Sequence, residues 1–269
     1  MILKKDLEIL SYNIEKYVIE AFQKAKINST NNDYILFLAN AHYDNTKEKS
    51  ILNPYVLNYK PDENHDKFRL NILLDYANSH YSQNSFNTMD SEASVTFELM
   101  IYTHLWESKP FLKQFYRLSA LIDGLEYQWK VLVPDSPKYK CIRSIKESFE
   151  RSNIKLANII TGSYNSSLRN AFAHSEYTFS NFKNEIILKN YKGKPYEIDR
   201  ISLNDWTVRF CNSFLLAYFF QKTYTEERHN LNEGESGYLV NIENGRGQSI
   251  TKRIIYERRR DKFLVAKLG

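Results

Sequence analysis

Apolar residues recur at intervals of three and four along most of the chain, which is the spacing of an amphipathic helix. The first such stretch predicts a helix that starts near Leu3 and ends in the polar segment 28–32. Further stretches of the same spacing predict helices over 90–106, with Asp90 and Ser91 as caps, and over 111–131, 138–160 and 203–224. Residues 161–163 (TGS) are predicted to break the third of these before a short helix follows. The chain is therefore predicted to be mainly α.

Residues 33–89 do not follow this pattern. They contain short apolar runs at 34–39, 55–59 and 68–77, separated by loops rich in Asn and Asp. Runs of this length fit strands, but periodicity alone does not distinguish them from helices. We therefore expect an irregular N-terminal region in which helix and strand both stay open, and its role is unknown.

Two later segments have β character. Residues 177–179 and 185–189 flank a polar turn and predict a hairpin, and 250–256 alternates as a strand does. Together with the helical pattern, this predicts three parts: residues 1–89, a helical domain over 90–225, and a C-terminal extension over 226–269.

Composition and charge indicate the kind of partner and the cellular compartment to expect. A hydrophobic content of 42% can fill a core, and the net charge of +5 gives a mild preference for anionic partners. Cys141 and Cys211 lie far apart in helical patterns and are expected to be free thiols in a reducing compartment. The first ten residues lack the apolar core of a signal peptide, and no apolar run is long enough for a bilayer span. A cytoplasmic protein without membrane contact is the expectation.

The C-terminal extension is strongly basic. Residues 245–269 hold eight Lys and Arg against two acidic residues, a net charge of +6. We regard Arg246, Lys252, Arg253, Arg258, Arg259 and Arg260 as weaker candidates for contacts with RNA phosphates. A solvated tail without a binding role explains the same charge equally well.

Motifs of several enzyme classes are missing. The sequence has no H-E-x-x-H, no paired C-x-x-C, no phosphate-binding G-x-x-x-x-G-K-[ST] and no G-x-S-x-G. His42, His65 and His80 have no partners at metal-ligand spacing and are expected to be solvated loop histidines. His104 and Glu107 have the spacing of a helical pair but look isolated. We therefore expect neither a metal nor a cofactor.

One stretch stands out for its chemistry, residues 163–177 (SYNSSLRNAFAHSEY). Asn170 and His174 are one helical turn apart on the same face, and Arg169 is close enough for its long side chain to reach that face. A histidine can act as acid or base near cellular pH, and a guanidinium offers a fork of donors to a phosphate. Asn170 could orient either the imidazole or the phosphate. Alternatively, Asn170 and His174 merely finish a helix and Arg169 is a surface residue.

This motif resembles the R-[polar]-x3-H signature of the HEPN superfamily (higher eukaryotes and prokaryotes nucleotide-binding domain). The resemblance covers roughly residues 90–225, and Arg169, Asn170 and His174 match it. It implies a HEPN-like helical bundle and a metal-independent ribonuclease of the toxin, abortive-infection or anti-phage type, with an antitoxin or other regulatory protein as partner. One branch of the family has a tyrosine two places after the histidine; here Tyr177 lies three places after it and is a weaker candidate for RNA contact.

Cleavage of RNA without a metal requires a base for the 2′-hydroxyl, an acid for the leaving oxygen and compensation for the phosphorane charge. One chain supplies one motif histidine, so a symmetric dimer that pairs two copies of His174 is the economical solution. The predicted function is therefore that of a homodimeric endoribonuclease that leaves a 2′,3′-cyclic phosphate in defence or stress-induced growth arrest. A non-catalytic module that binds RNA, a nucleotide or a protein is the alternative, and a helical oligomerisation scaffold is a third.

Overall fold

The computed structural model describes residues 2–49, 53–59, 68–83, 92–134, 139–180, 184–189, 198–231, 237–243 and 248–266. These residues are mainly helical and carry small antiparallel sheets, which confirms the predicted class. Asp90 and Ser91, the predicted caps, lie outside the described residues, as do His65 and Arg246.

Ten α-helices lie within the described residues. Their bounds are α1 Lys4–Asn28, α2 Asp33–Leu38, α3 Asn45–Lys49, α4 Phe68–Gln83, α5 Glu92–Glu107, α6 Lys109–Ile122, α7 Tyr139–Arg151, α8 Leu156–Ser163, α9 Ser166–Ala173 and α10 Leu203–His229. The predicted first and last helices are confirmed, and the last continues to His229. Two of the three ambiguous N-terminal runs are helical, as α2 and α4.

The strands form three antiparallel sheets. Their bounds are β1 His42–Tyr43, β2 Tyr55–Val56, β3 Tyr177–Ser180, β4 Glu185–Leu188, β5 Arg200–Ser202, β6 Tyr238–Glu243, β7 Ser249–Glu257 and β8 Lys262–Val265. The sheets have the orders β1-β2, β3-β4-β5 and β6-β7-β8. The predicted hairpin is β3-β4, in which Tyr177 pairs with Leu188, and the predicted strand 250–256 lies within β7.

Two helix ends differ from the prediction. The helix predicted over 111–131 ends at Ile122 because Gly124 adopts a left-handed conformation with φ of 72°. Its N–H donates to the Leu121 carbonyl and that of Leu125 donates to the Ala120 carbonyl, the hydrogen bonds of a Schellman motif. The helix predicted over 138–160 is likewise divided, because Asn153 takes φ of 55° between α7 and α8.

The predicted break at 161–163 is wrong, since α8 runs through these residues. The hydroxyls of Thr161 and Ser163 donate to the carbonyls of Ala157 and Ile159, each four residues earlier, and so remain compatible with a helix. Gly162 lies within α8, where its lack of a side chain serves packing. A Cβ at this position would lie 3.1 Å from Asn212 Nδ2, so the glycine permits the close approach of this side chain.

The chain forms two compact units. The first unit contains the described parts of 1–18, 66–111 and 154–220, and therefore the whole R-N-x3-H motif. Its core is aromatic, with Trp206 in edge-to-face contact with Tyr102 at 5.2 Å and with Phe172 at 5.1 Å. The helix α10 starts at a local cap, where the Ser202 hydroxyl accepts a hydrogen bond from the Asp205 N–H at 3.1 Å.

The second unit contains the described parts of 19–65, 112–153 and 221–269. The described part of the basic segment 245–269 forms β7 and β8 of the sheet β6-β7-β8 in this unit, and the Asn58 side chain binds both the N–H and the carbonyl of Phe263. The description of this segment as a solvated tail is therefore wrong. The division of the chain into three parts, with boundaries at 89/90 and 225/226, stays a prediction.

His42 departs from the expected solvated loop histidine. The fully buried Arg117 donates through Nη2 to His42 Nδ1 at 3.1 Å, and the His42 ring stacks on Tyr59 with centroids 3.9 Å apart. A guanidinium can only donate, so the imidazole is neutral with its proton on Nε2. Burial, and then the charges of Arg117 and Lys113, lower the pKa of His42 to about 3.

This shift predicts a pH-dependent stability. The unfolded chain protonates His42 below about pH 6.5, whereas the folded chain does not, so folding loses free energy as the pH falls. Between about pH 6 and 5 we expect the free energy of unfolding to fall by roughly 1 kcal/mol more in the wild type than in His42→Gln. Urea unfolding at each pH measures this difference. Equal slopes for His42→Gln and wild type would contradict the assignment.

Candidate functional site

The motif helix α9 is fixed at its start by its own sequence. Asn165 has an extended backbone, and its side-chain oxygen accepts a hydrogen bond from the Leu168 N–H at 2.9 Å. This is the N-cap geometry that asparagine favours. Leu168, Ala171 and Phe172 are buried and attach one side of the helix to the core of the first unit.

The other end of α9 is fixed at His174, the C-cap residue that follows Ala173. Ser175 takes φ of 55° and its N–H donates to the Phe172 carbonyl, while the Glu176 N–H donates to the Ala171 carbonyl at 2.8 Å. These are the two hydrogen bonds of a Schellman motif, with serine where glycine is usual. His174 therefore sits on a defined backbone at the point where the chain turns into β3.

The structure places Asn170 and His174 together on the outer side of α9. His174 is exposed and Asn170 is half-buried, and both lie away from the side formed by Leu168 and Phe172. The Arg169 side chain lies on a different side of the helix. At about 100° per residue it lies roughly 140° around the helix axis from His174, on the flank that faces α5.

Arg169 is engaged by Glu107, the last residue of α5. Arg169 Nη1 lies 2.8 Å from Glu107 Oε1, and the side chains are 12% and 33% exposed. The Arg169 Nε is buried and makes no hydrogen bond within the described part of the chain. The ion pair thus fixes the position of the guanidinium through Nη1, and with Nε buried it leaves Nη2 as the nitrogen that can meet another acceptor.

Two side chains, the buried Tyr102 and the half-buried Arg209, hold the junction between α8 and α9. The Tyr102 hydroxyl donates to the Ser163 carbonyl at 3.2 Å and accepts from the Asn165 N–H at 3.1 Å. Burial raises the pKa of Tyr102, so this hydroxyl keeps its proton. Arg209 Nη1 donates to the carbonyls of Ser163 and Tyr164 at 3.2 and 3.3 Å, where a cation also suits the C-terminal end of α8.

Tyr177 lies behind the motif. Its ring packs edge-to-face on Phe172 at 5.3 Å and on Phe179 at 5.8 Å, and the residue is half-buried. These contacts fix the first residue of β3 against the inner side of α9. A role for Tyr177 in binding RNA stays a prediction.

The described basic residues of the C-terminal segment belong to the second unit and point in different directions. Lys252 and Arg253 are neighbours on β7, so their side chains leave the sheet on opposite faces. Arg258 donates to the carbonyls of His229 and Leu231 at the end of α10, and Arg260 lies 3.5 Å from Glu257. Arg259 is exposed. Their proposed contacts with RNA stay untested predictions.

Glu107, Tyr102 and Arg209 are the residues that analysis of the motif alone misses. Each is far from Arg169 in sequence, and each acts through folding of α5 or α10 against α8 and α9. The sequence signal for Glu107 is its helical spacing from His104, a pair for which the sequence shows no partner.

Among the described residues, no group of three or more His, Cys, Asp and Glu side chains is arranged to hold a metal ion. None of the helices in this part of the chain combines the length and apolar character needed to cross a bilayer.

Comparison of the chain with protein-family models, with curated proteins and with solved structures gave no match.

Proposed function

We propose that this protein is a metal-independent endoribonuclease with a HEPN-like helical bundle, active as a homodimer in defence or stress-induced growth arrest. The observation that carries the proposal is the layout of α9. An exposed His174 and its neighbour Asn170 stand at a capped helix end, and Arg169 is held on the flank by Glu107.

In this proposal His174 transfers protons. It takes one from the 2′-hydroxyl or gives one to the leaving 5′-oxygen, and its exposure makes it accessible to a substrate. Asn170, one turn away on the same side, orients the imidazole or a phosphate oxygen. The Arg169 guanidinium offsets the charge that develops on the non-bridging oxygens through the N–H groups that Glu107 does not use.

A single chain lacks the second proton-transfer group. A two-fold axis next to the outer side of α9 would bring His174 of two subunits to one phosphodiester, one as base and one as acid. Arg169 and His174 of one chain point to different sides of α9. In such a dimer, Arg169 of one subunit can act together with the histidine of the other at a shared site.

The direct test is incubation of 5′-labelled tRNA and mRNA with the purified protein in EDTA, followed by analysis of the product ends. We expect cleavage with 2′,3′-cyclic phosphate and 5′-hydroxyl ends, from a protein that sediments as a dimer. Cleavage only after addition of a divalent cation, or products with 5′-phosphates, would overturn the metal-independent mechanism.

The role assigned to Glu107 gives a separate prediction. If Glu107 positions Arg169, then Glu107→Ala should lower kcat about tenfold while the KM for RNA changes by less than about threefold. Glu107→Gln, which keeps a hydrogen-bond acceptor, should recover part of the loss. Single-turnover cleavage and circular dichroism measure activity and folding, and Glu92→Gln at the exposed start of α5 is the control. A Glu107→Ala protein of full activity would exclude this positioning role.

The alternative is a non-catalytic module that binds RNA, a nucleotide or a protein. The engagement of Arg169 by Glu107, about 140° around α9 from His174, favours this alternative, since one chain alone does not assemble the motif side chains. A module of this kind would retain RNA in a gel-shift assay without cutting it, and Arg169→Ala would weaken that binding more than His174→Ala.

A further inference from the structure

The helix α5 lacks the charged outer side that a surface helix normally has. After Glu92 its exposed residues are Ala93, Thr96, Phe97 and Met100, and none of these is charged. Phe97 and Met100 are 55% and 62% exposed, although both side chains are large and apolar. A helix without a charged side is usually buried on all sides, so this side of α5 is expected to be covered by a partner.

The neighbouring helix α4 extends this apolar surface. Ile72 and Tyr76 are one turn apart and 51% and 52% exposed, and the rings of Tyr76 and Phe97 have centroids 6.3 Å apart. We call the surface formed by Ile72, Tyr76, Phe97 and Met100 the α4–α5 face. Each of the four side chains exposes roughly 100 Å², so the face offers about 400 Å². This is about half of the roughly 800 Å² that each partner buries in a stable interface, and it suits the apolar centre of an interface with a polar rim.

The charges beside this face favour a second copy of the chain as the partner. Arg69 and Asp75 are exposed and lie three residues before and after Ile72, so both stand at the edge of the face. One cation and one anion give this edge no net charge, and two copies can therefore meet without like-charge repulsion. A nucleic acid would instead require a clearly basic surface.

The α4–α5 face also adjoins the candidate site. Met100 and Glu107 lie on the same side of α5, two turns and about 10 Å apart along the helix axis. Glu107 binds Arg169 of α9. An interface on this side of α5 therefore extends towards α9, where a second His174 is needed.

We propose that two copies of this chain associate through the α4–α5 face to form a symmetric dimer. The interface itself does not depend on RNA cleavage. The further step, in which this dimer brings two copies of His174 to one phosphodiester, rests on the proposed function.

The first test is sedimentation equilibrium of the full-length protein. We expect a dimer with a Kd of about 10 µM or lower for the wild type. Phe97→Glu places two like charges in the apolar centre of the interface and should raise this Kd at least about a hundredfold. Leu132→Glu is the control, because Leu132 is a 91% exposed apolar residue of the second unit, and it should leave the Kd unchanged. Circular dichroism checks that each variant is folded.

Charge reversal tests the edge of the face independently of its apolar centre. Arg69→Asp gives each subunit two acidic edge residues and Asp75→Arg gives each two basic ones, so each variant alone should associate about tenfold more weakly than wild type. An equimolar mixture of the two variants should recover the wild-type Kd, because edges of opposite charge then meet. A folding defect in either variant would not be repaired by mixing.

Three results would overturn the proposal. They are a wild type that stays monomeric at about 100 µM, a folded Phe97→Glu protein with the wild-type Kd, and a mixture of the charge variants that associates no better than each alone. A monomeric Phe97→Glu protein supports the interface even if the wild type does not cut RNA, so the interface and the ribonuclease activity can fail separately. If the wild type does cut RNA, loss of cleavage in this monomer would assign the shared site to the same dimer.

Discussion

Replacement of His174 by alanine is expected to abolish RNA cleavage, with kcat reduced by about a thousandfold or more. The reason is that the imidazole of His174 is the proposed acid and base of the motif, and two copies of it would serve one phosphodiester. Because His174 is exposed at the end of α9, its removal leaves the buried side of that helix untouched. Folding should therefore be preserved, which circular dichroism and the thermal midpoint will show.

The matched control is His229→Ala, since His229 is also an exposed histidine at the end of a helix. It should cut RNA at the wild-type rate. A His174→Ala protein that is folded, dimeric and still within threefold of wild-type activity would refute the proposed mechanism, and the binding alternative would then be tested by gel shift.

Mixed dimers test whether the site is shared between subunits. Wild type is mixed with a tenfold excess of His174→Ala, allowed to exchange, and assayed for cleavage. If both histidines serve one site, most wild-type chains will be trapped in inactive heterodimers and activity will fall well below that of wild type diluted into buffer. Activity equal to that of the diluted wild type would place the complete site within one chain.

The local features of this fold were predictable because their causes are close in sequence. The motif helix has its cap residue Asn165 directly before it, and the apolar positions Leu168 and Phe172 repeat along it. The hairpin β3-β4 likewise follows from two β-prone runs around a polar turn. In contrast, the end at Ile122 depended on a single residue, Gly124, within a pattern that otherwise continues to Val131.

The features that escaped prediction depend on residues distant in sequence. β5 has three residues, which is too short for a period to be visible, and it is defined by its pairing with β4. The third sheet forms when β7 pairs with β6 on one side and β8 on the other, and the sequence alone does not show which strands pair. The same holds for Glu107, which becomes part of the candidate site only when α5 packs beside α9 and brings it to Arg169.

Arg228 shows the same principle in the second unit, where it joins three separate segments. Its Nη1 donates to the Leu38 carbonyl at 2.7 Å, and its Nε and Nη2 donate to the side chain and carbonyl of Asp261 at 2.9 and 2.7 Å. The Tyr256 hydroxyl donates to the same carboxylate at 2.7 Å. Burial alone lowers the pKa of Arg228, but Tyr224 and Asp261 raise it by more, so the buried group stays charged.

We expect Arg228→Met to lower the free energy of unfolding by about 3 kcal/mol and the thermal midpoint by roughly 10 °C. Methionine retains most of the aliphatic volume, so the loss reports the hydrogen bonds and the ion pair. The estimate lies at the lower end of the range for breaking a buried ion pair because the Asp261 side chain is 54% exposed and can be solvated.

One further variant separates the charge of the ion pair from its hydrogen bonds, and a second variant is a control. Asp261→Asn keeps an oxygen acceptor and suits the left-handed backbone at this position, where φ is 47°, so it removes the charge alone and should cost less than half as much. Arg259→Met, an exposed arginine of the same segment, should change the stability by less than about 0.5 kcal/mol. If Arg228→Met unfolds within 1 kcal/mol of wild type in urea, the apolar packing of the second unit must hold its N-terminal and C-terminal segments together without this ion pair.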